Sequence, residues 1–145
     1  MTNTSNRTAV IGRVLISVLF LLSGIGKIAA PAATQGYIAS VGLPEPLLAY
    51  IGSTLIEVGG SLLLILGCRA REVAAVLAVF TMITAVVFHS NFADQNMMVH
   101  FLKNVAITGG LLQVVAYGAG AFSLDARRAC RETVSSSEQP QPLSA

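Results

Sequence analysis

Four long apolar runs, separated by short polar connections, dominate the pattern along the chain and predict four membrane-crossing helices. They cover about residues 10–28, 47–66, 73–89 and 99–119, each close to the roughly 20 residues that cross 30 Å of hydrocarbon at 1.5 Å per residue. Residues 14–26, VLISVLFLLSGIG, carry no charge, and neither do residues 73–89, VAAVLAVFTMITAVVFH. The second run holds one carboxylate, Glu57, near its middle. The stretch PAATQGYIASVGLPEP is too polar and too broken by Pro and Gly to span, and Tyr37, Ile38, Val41 and Leu43 within it predict a short interfacial helix across the bundle mouth. The domain division is then a tail over 1–8, a bundle over 9–124 and a Ser-, Pro- and Gln-rich tail over 125–145 that is expected to be disordered.

Composition agrees with the pattern. Hydrophobic residues make up 54% of the 145 and charged residues 11%, against about 25% charged in soluble domains. So few charges could not cover a soluble fold of this size, so lipid must surround most of the surface. A cleaved signal peptide is the competing reading of the first run, with Arg7 and Arg13 as its basic end. Lys27 and Pro31 fit a cleavage site poorly, however, and three further apolar runs follow. The fold expected is all-α: an integral membrane four-helix up-down bundle.

Arginine placement sets an expected orientation. Arg7 and Arg13 flank the start of the first span, Arg69 and Arg71 fill the second connection, and Arg127, Arg128 and Arg131 follow the fourth span. All three segments fall on one side of an up-down bundle, while the opposite loops offer Lys27 at one end, and Asp94 with no Arg or Lys in the other. Both termini are therefore expected in the cytoplasm of a multi-pass protein in the bacterial inner (plasma) membrane. Arg13 and Lys27 are read as snorkelling to opposite interfaces. The net charge of +2 argues against nucleic acid as a partner; the partner expected first is the lipid bilayer. Cys68 and Cys130 form no CxxC, so neither redox-thiol chemistry nor a metal site is expected.

Small residues mark expected helix contacts: Gly24, the pair Gly59 and Gly60, and the pair Gly109 and Gly110. Ionisable groups at membrane depth each need a partner or water. Glu57 is too short to snorkel, and the groups placed near it are Lys103, Asn104, His89 and Lys27, with His100 and several hydroxyls alongside. These five residues form the candidate site, and Glu57 is expected within ion-pair or one-water reach of Lys103. The competing reading is that such a pair only fixes helix register, and that His89 and His100 are simply interfacial.

The ordered set Arg13 with LISVLFLLSGIGK, then YIASVGLPEP, IEVGGSLLLILGCRAR and HFLKNVAITGGLLQVVAYGAGAFSLD resembles the DoxX family of small bacterial membrane proteins over residues 9–126. Arg13, Gly24, Lys27, Glu57, Gly59, Gly60, Lys103, Asn104 and Gly110 match its pattern. The resemblance implies a four-helix membrane bundle and an association with redox chemistry, since related DoxD proteins are membrane subunits of a thiosulfate:quinone oxidoreductase. No flavin, haem, iron–sulfur or redox-thiol motif is present, so a self-sufficient enzyme is not expected. The first functional reading is an accessory or quinone-interacting subunit of a membrane oxidoreductase complex, with quinone as the cofactor and no intrinsic cofactor. A structural membrane anchor for a soluble partner ranks second. A small proton-coupled transporter ranks third; four spans are few for a pathway inside one copy, and a homo-oligomer is the form considered for it.

Overall fold

The computed structural model describes residues 3–137. They form six helices: α1 Asn3–Ala29, α2 Pro31–Ser40, α3 Pro46–Leu66, α4 Ala70–Phe88, α5 Gln95–Tyr117 and α6 Leu124–Ser137. Four of these, α1, α3, α4 and α5, are long and apolar enough to cross a membrane. They follow the four apolar runs, with α1 starting earlier and α5 starting at Gln95 rather than near Val99. Asp94 sets that start: its carboxylate accepts from the backbone N–H of Asn96 and Met97, as an N-cap should.

Local chemistry explains the other boundaries. Pro31 and Pro46 open α2 and α3 at the first helical turn, where a missing N–H costs nothing. Gly67 ends α3 with φ +65°, and the Gly67 and Cys68 N–H groups donate back to the Leu64 and Leu63 carbonyls at 3.2 and 3.0 Å. That is a Schellman cap, and its left-handed residue is a glycine because any Cβ there would be strained. Space forbids one as well: a Cβ on Gly67 would lie 2.5 Å from the Ser123 Cβ and 2.9 Å from the Arg13 Nη1.

The spanning helices pack as two close pairs, α1 on α3 and α4 on α5, joined through the α3–α4 contact and a lighter α1–α5 contact. The α4 face explains the second pair. Ala70, Ala74, Ala78 and Ala85 recur on one face with Leu77 and Thr81 and are all buried, so small side chains bring the backbones close, the form of association that lipid favours. Large apolar residues such as Leu15 (67% exposed) and Leu55 (68%) face outward, where lipid rather than water is the expected solvent.

The buried core is not centred. Leu64, Ala70, Ala74, Leu77, Leu111 and Ala119 belong to it, and they lie towards the end of the bundle that carries the chain termini and the α3–α4 connection. The opposite end, capped by α2 and the α4–α5 loop, is where the helices part.

Two expectations are corrected here. The segment after Asp125 was expected to be disordered; it is helical to Ser137. The stretch DARRACRETV contains no Pro or Gly to break a helix, and Asp125 lies in its first turn, the favourable end for a carboxylate. Residues 138–145 lie outside the described part. Of the paired glycines, only one of each pair meets another helix. A Cβ on Gly60 would touch Leu77 at 3.1 Å and one on Gly110 would touch Ile16 at 3.1 Å, whereas Gly59 and Gly109 have nothing within 4 Å. Adjacent residues on a helix point about 100° apart, so one small residue of such a pair must turn away from the contact its neighbour makes.

Candidate functional site: a charged cavity between the helix pairs

Where the two helix pairs part, they enclose a cavity of about 640 Å³ lined from α1, α2, α3, α4 and α5. Its wall is mostly apolar, with Phe20, Ile56, Phe80 and Ile107 among its residues. All five residues of the predicted cluster, Lys27, Glu57, His89, Lys103 and Asn104, line it together.

The ion pair within the cluster differs from the expected one. Glu57 is 5% exposed and faces the bundle interior. Its Oε1 accepts from the Lys27 Nζ at 2.5 Å, and Lys103 is not its partner. Gly24 is the reason. A Cβ on Gly24 would sit 2.6 Å from the Val58 Cγ2 and 3.4 Å from the Glu57 Cβ, so α1 and α3 approach closely only because that side chain is absent. Lys27 stands three residues further along α1, on the same face, and its stem reaches back along the helix to the carboxylate. The Lys27 Nζ also donates to the Ser23 Oγ at 3.4 Å.

Lys103 takes a different position on the cavity wall. Its ammonium lies 3.0 Å from the His100 Nδ1. An ammonium has no acceptor, so Nδ1 must accept, and the His100 proton is on Nε2. The His100 ring stacks on His89, with centroids 5.1 Å apart and planes inclined by 24°. Burial first, and then the neighbouring His100 and Lys103, hold the His89 imidazole below its ordinary pKa. On the α2 side, Tyr37 stacks on Phe88 at 5.4 Å, and Ile38 is buried. The short helix expected across the bundle mouth is therefore present, and Thr34, Tyr37 and Ile38 form part of the cavity wall.

Two polar atoms at this end are buried with no hydrogen-bond partner: Glu57 Oε2 and His89 Nδ1. Glu57 and His89 line the cavity itself. A buried carboxylate oxygen with no donor is costly, and native structures rarely leave one. The cavity is thus an apolar space bordered by a buried carboxylate paired through one oxygen, Glu57, and by a cation with no carboxylate partner among the described residues, Lys103.

Arg13 was misread from the sequence. Expected at the interface as an orientation residue, it is 3% exposed. Its guanidinium donates to the Ala119, Ile65 and Phe122 carbonyls, the last two at 3.2 and 3.1 Å. These carbonyls lie at or beyond the ends of α3 and α5, where no intrahelical donor remains, and the planar fork reaches them together. Nearby, the Asp125 carboxylate accepts from the Arg69 and Ala70 N–H groups at 2.7 and 2.8 Å, capping α4 from another helix. The signal was present: Ala9, Val10 and Ile11 precede Arg13, so it lies inside the apolar run rather than beside it. The other orientation residues, Arg69, Arg71, Arg127 and Arg128, are exposed at the termini end; Arg69 pairs with Glu72.

Four lipid-length helices around a charged, lipid-depth cavity define a small multi-helix membrane protein. The chain belongs to the DoxX family, whose model matches residues 8–90. It is similar to the inner membrane protein YqjF of Escherichia coli strain K12, 40% identical over 115 residues that cover 79% of this chain and 87% of the relative. It is also similar to the inner membrane protein YphA of the same organism, 35% identical over 122 residues, 81% of this chain and 87% of that relative. No solved structure matches the chain significantly.

Proposed function

We propose that this DoxX-family protein is a redox-associated subunit of the bacterial inner membrane that holds a quinone headgroup in the cavity between its helix pairs. The observation that carries the reading is the cavity: about 640 Å³, largely apolar, and lined by Lys27, Glu57, His89, Lys103 and Asn104. Pockets that bind small amphiphiles have this form, an apolar wall with a few convergent polar groups. A quinone ring with a short stretch of its tail suits the apolar wall, and the Lys103 ammonium is a donor for a ring carbonyl. Electrons pass to or from a partner oxidoreductase, since the sequence carries no redox-centre motif of its own.

The proposed topology places both termini in the cytoplasm. The Arg69, Arg71, Arg127 and Arg128 side chains cluster at the termini end, and positive charge favours the cytoplasmic side. The two relatives' names place those proteins in the inner membrane. The cavity end then lies in the periplasmic half of the bilayer.

The test is purification in a gentle detergent from native membranes, followed by extraction of bound quinones and mass spectrometry of co-purifying proteins. The expected result is a quinone retained by the wild type, depleted by Lys103→Met, together with an oxidoreductase subunit. Recovery of neither from the wild type would sink the proposal and move a purely structural role ahead.

A further inference from the structure

The ionisable side chains among the residues that line the cavity and take a charge near neutral pH are Lys27, Glu57, His89 and Lys103. The Lys27–Glu57 pair, at 2.5 Å, cancels its own charge. Lys103 is left over: its ammonium meets the His100 Nδ1 at 3.0 Å, a neutral acceptor, and no carboxylate among the described residues. The other acids of this end do not answer it. Asp94 accepts from the Asn96 and Met97 N–H groups as the α5 cap, and neither Asp94 nor Glu45 forms an ion pair among the described residues. With His89 neutral, the wall therefore carries one uncompensated positive charge.

Unlike Glu57, Lys103 is exposed, so its ammonium is open to a ligand. It lies about two turns inside α5. A cation there either snorkels to the interface or meets an anion brought to it. The surroundings favour the second. Asn104, next to Lys103, lines the cavity with Tyr37 and Ser23. Among the described residues no hydrogen bond uses the Asn104 amide or the Tyr37 hydroxyl, and the Ser23 Oγ serves as acceptor to Lys27. The Thr34, Thr81 and Thr84 hydroxyls, by contrast, donate to carbonyls one turn back along their own helices. Donors thus remain free beside an apolar space that holds Phe20, Ile56, Phe80 and Ile107. A neutral carbonyl would take a hydrogen bond there and leave the charge uncompensated, whereas an anion answers both.

Resting on the reading of this cavity as a ligand site, though not on the ligand being a quinone, we propose that it takes a single-chain amphiphile with an anionic head. The head pairs with the Lys103 ammonium and accepts from the Asn104 amide, and the chain lies against the apolar wall. Two sources share this chemistry: a long-chain carboxylate, and a quinone-like ring that carries an ionised hydroxyl.

The experiment uses the full chain in phosphatidylcholine nanodiscs, with empty nanodiscs as the blank and probes paired by methylation. Laurate is compared with methyl laurate, and 2-hydroxy-3-undecyl-1,4-naphthoquinone, ionised at neutral pH, with its 2-methyl ether. Decylubiquinone is the neutral quinone probe. The expected result is at least about tenfold tighter binding of an anion than of its methylated partner, the size of one charge-assisted hydrogen bond. That preference should be lost in Lys103→Met and kept in Lys103→Arg. A preference in the laurate pair without binding of decylubiquinone or the naphthoquinones would support the anionic site and remove the quinone. A preference in the ring pair alone would support both. Equal binding within each pair, or a preference that survives in Lys103→Met, would overturn the inference. Binding of decylubiquinone in that case would leave the quinone reading standing, and binding of no probe would remove both. If Lys103→Met does not yield folded protein, the ratio within each pair in the wild type decides alone.

Discussion

Arg13 and Glu57 are both buried charges on membrane-crossing helices, and they live in opposite surroundings. Arg13 sits at the termini end, where both amino groups of its fork meet carbonyls and only Nε is left without a partner. The helices close on it, with Ser123 5% exposed and Ala119 6% exposed beside it. Glu57 sits beyond the core, where the helix pairs part. It has one cation and one unused oxygen, and it borders a cavity. A buried charge held by three backbone acceptors in a dry contact is a structural fastener. A buried ion pair beside open space is instead the arrangement expected of a site. Electrostatic cost alone does not separate the two ends, and neither does an unpartnered atom; the adjoining volume does.

That contrast predicts unequal effects when each end is disturbed. The largest should follow Arg13→Met. The stem still fills its space, but the Ala119, Ile65 and Phe122 carbonyls lose their donor together, and a cost of about 3–5 kcal/mol is expected for emptying such a site. In a detergent-solubilised thermal melt the variant should unfold well below the wild type or fail to accumulate. Arg13→Lys should recover only part of the loss, since an ammonium cannot present a planar fork. A melt unchanged by Arg13→Met would mean that the termini end is held by apolar packing alone.

A smaller effect is expected from Gly24→Ala at the other end. The added Cβ must push Val58 aside, because its Cγ2 would stand only 2.6 Å away, and overpacking of this kind costs about 1–3 kcal/mol. Separation of α1 from α3 also draws Lys27 from Glu57, so ligand retention should fall more than the melting temperature does. Gly59→Ala is the matched control: nothing lies within 4 Å of its added Cβ, and neither property should change.

These glycines show where sequence reading stops. The spans were legible because lipid imposes a length and an apolar composition, and both are properties of the chain read in one dimension. The membership of the charged cluster was legible for a similar reason: an ionisable residue in an apolar run is conspicuous, and an antiparallel order places residues 27, 57, 89, 103 and 104 at one end. Pairing was not legible. Whether Glu57 meets Lys27 or Lys103 depends on which helices pack closely, and that turned on the rotation of each helix about its axis, which also decided that Gly60 rather than Gly59 lies at a contact. Arg13 was misjudged because its three acceptors are backbone carbonyls at helix ends far away in sequence, and a carbonyl leaves no mark in the residue code.

The smallest predicted effect separates the two ends by pH. The stacked His89 and His100 rings, the Lys103 ammonium and the Lys27–Glu57 pair are all gathered at the cavity end, whereas the termini-end lock holds no histidine. His89 is held below its ordinary pKa, first by burial and then by its two basic neighbours. As pH falls through the ordinary histidine range, near about 6.5, the unfolded chain therefore takes up a proton that folded His89 still refuses. The state that binds more protons gains on acidification, so this group lowers folding stability as pH drops below that range and has no effect above it. A melt of the wild type should thus shift downward between neutral and mildly acid pH. In His89→Phe, which keeps a ring to stack on His100, the shift should shrink while the melt at neutral pH stays close to that of the wild type. An acid shift of equal size in both proteins would assign the effect to groups other than His89 and remove the pH contrast between the two ends.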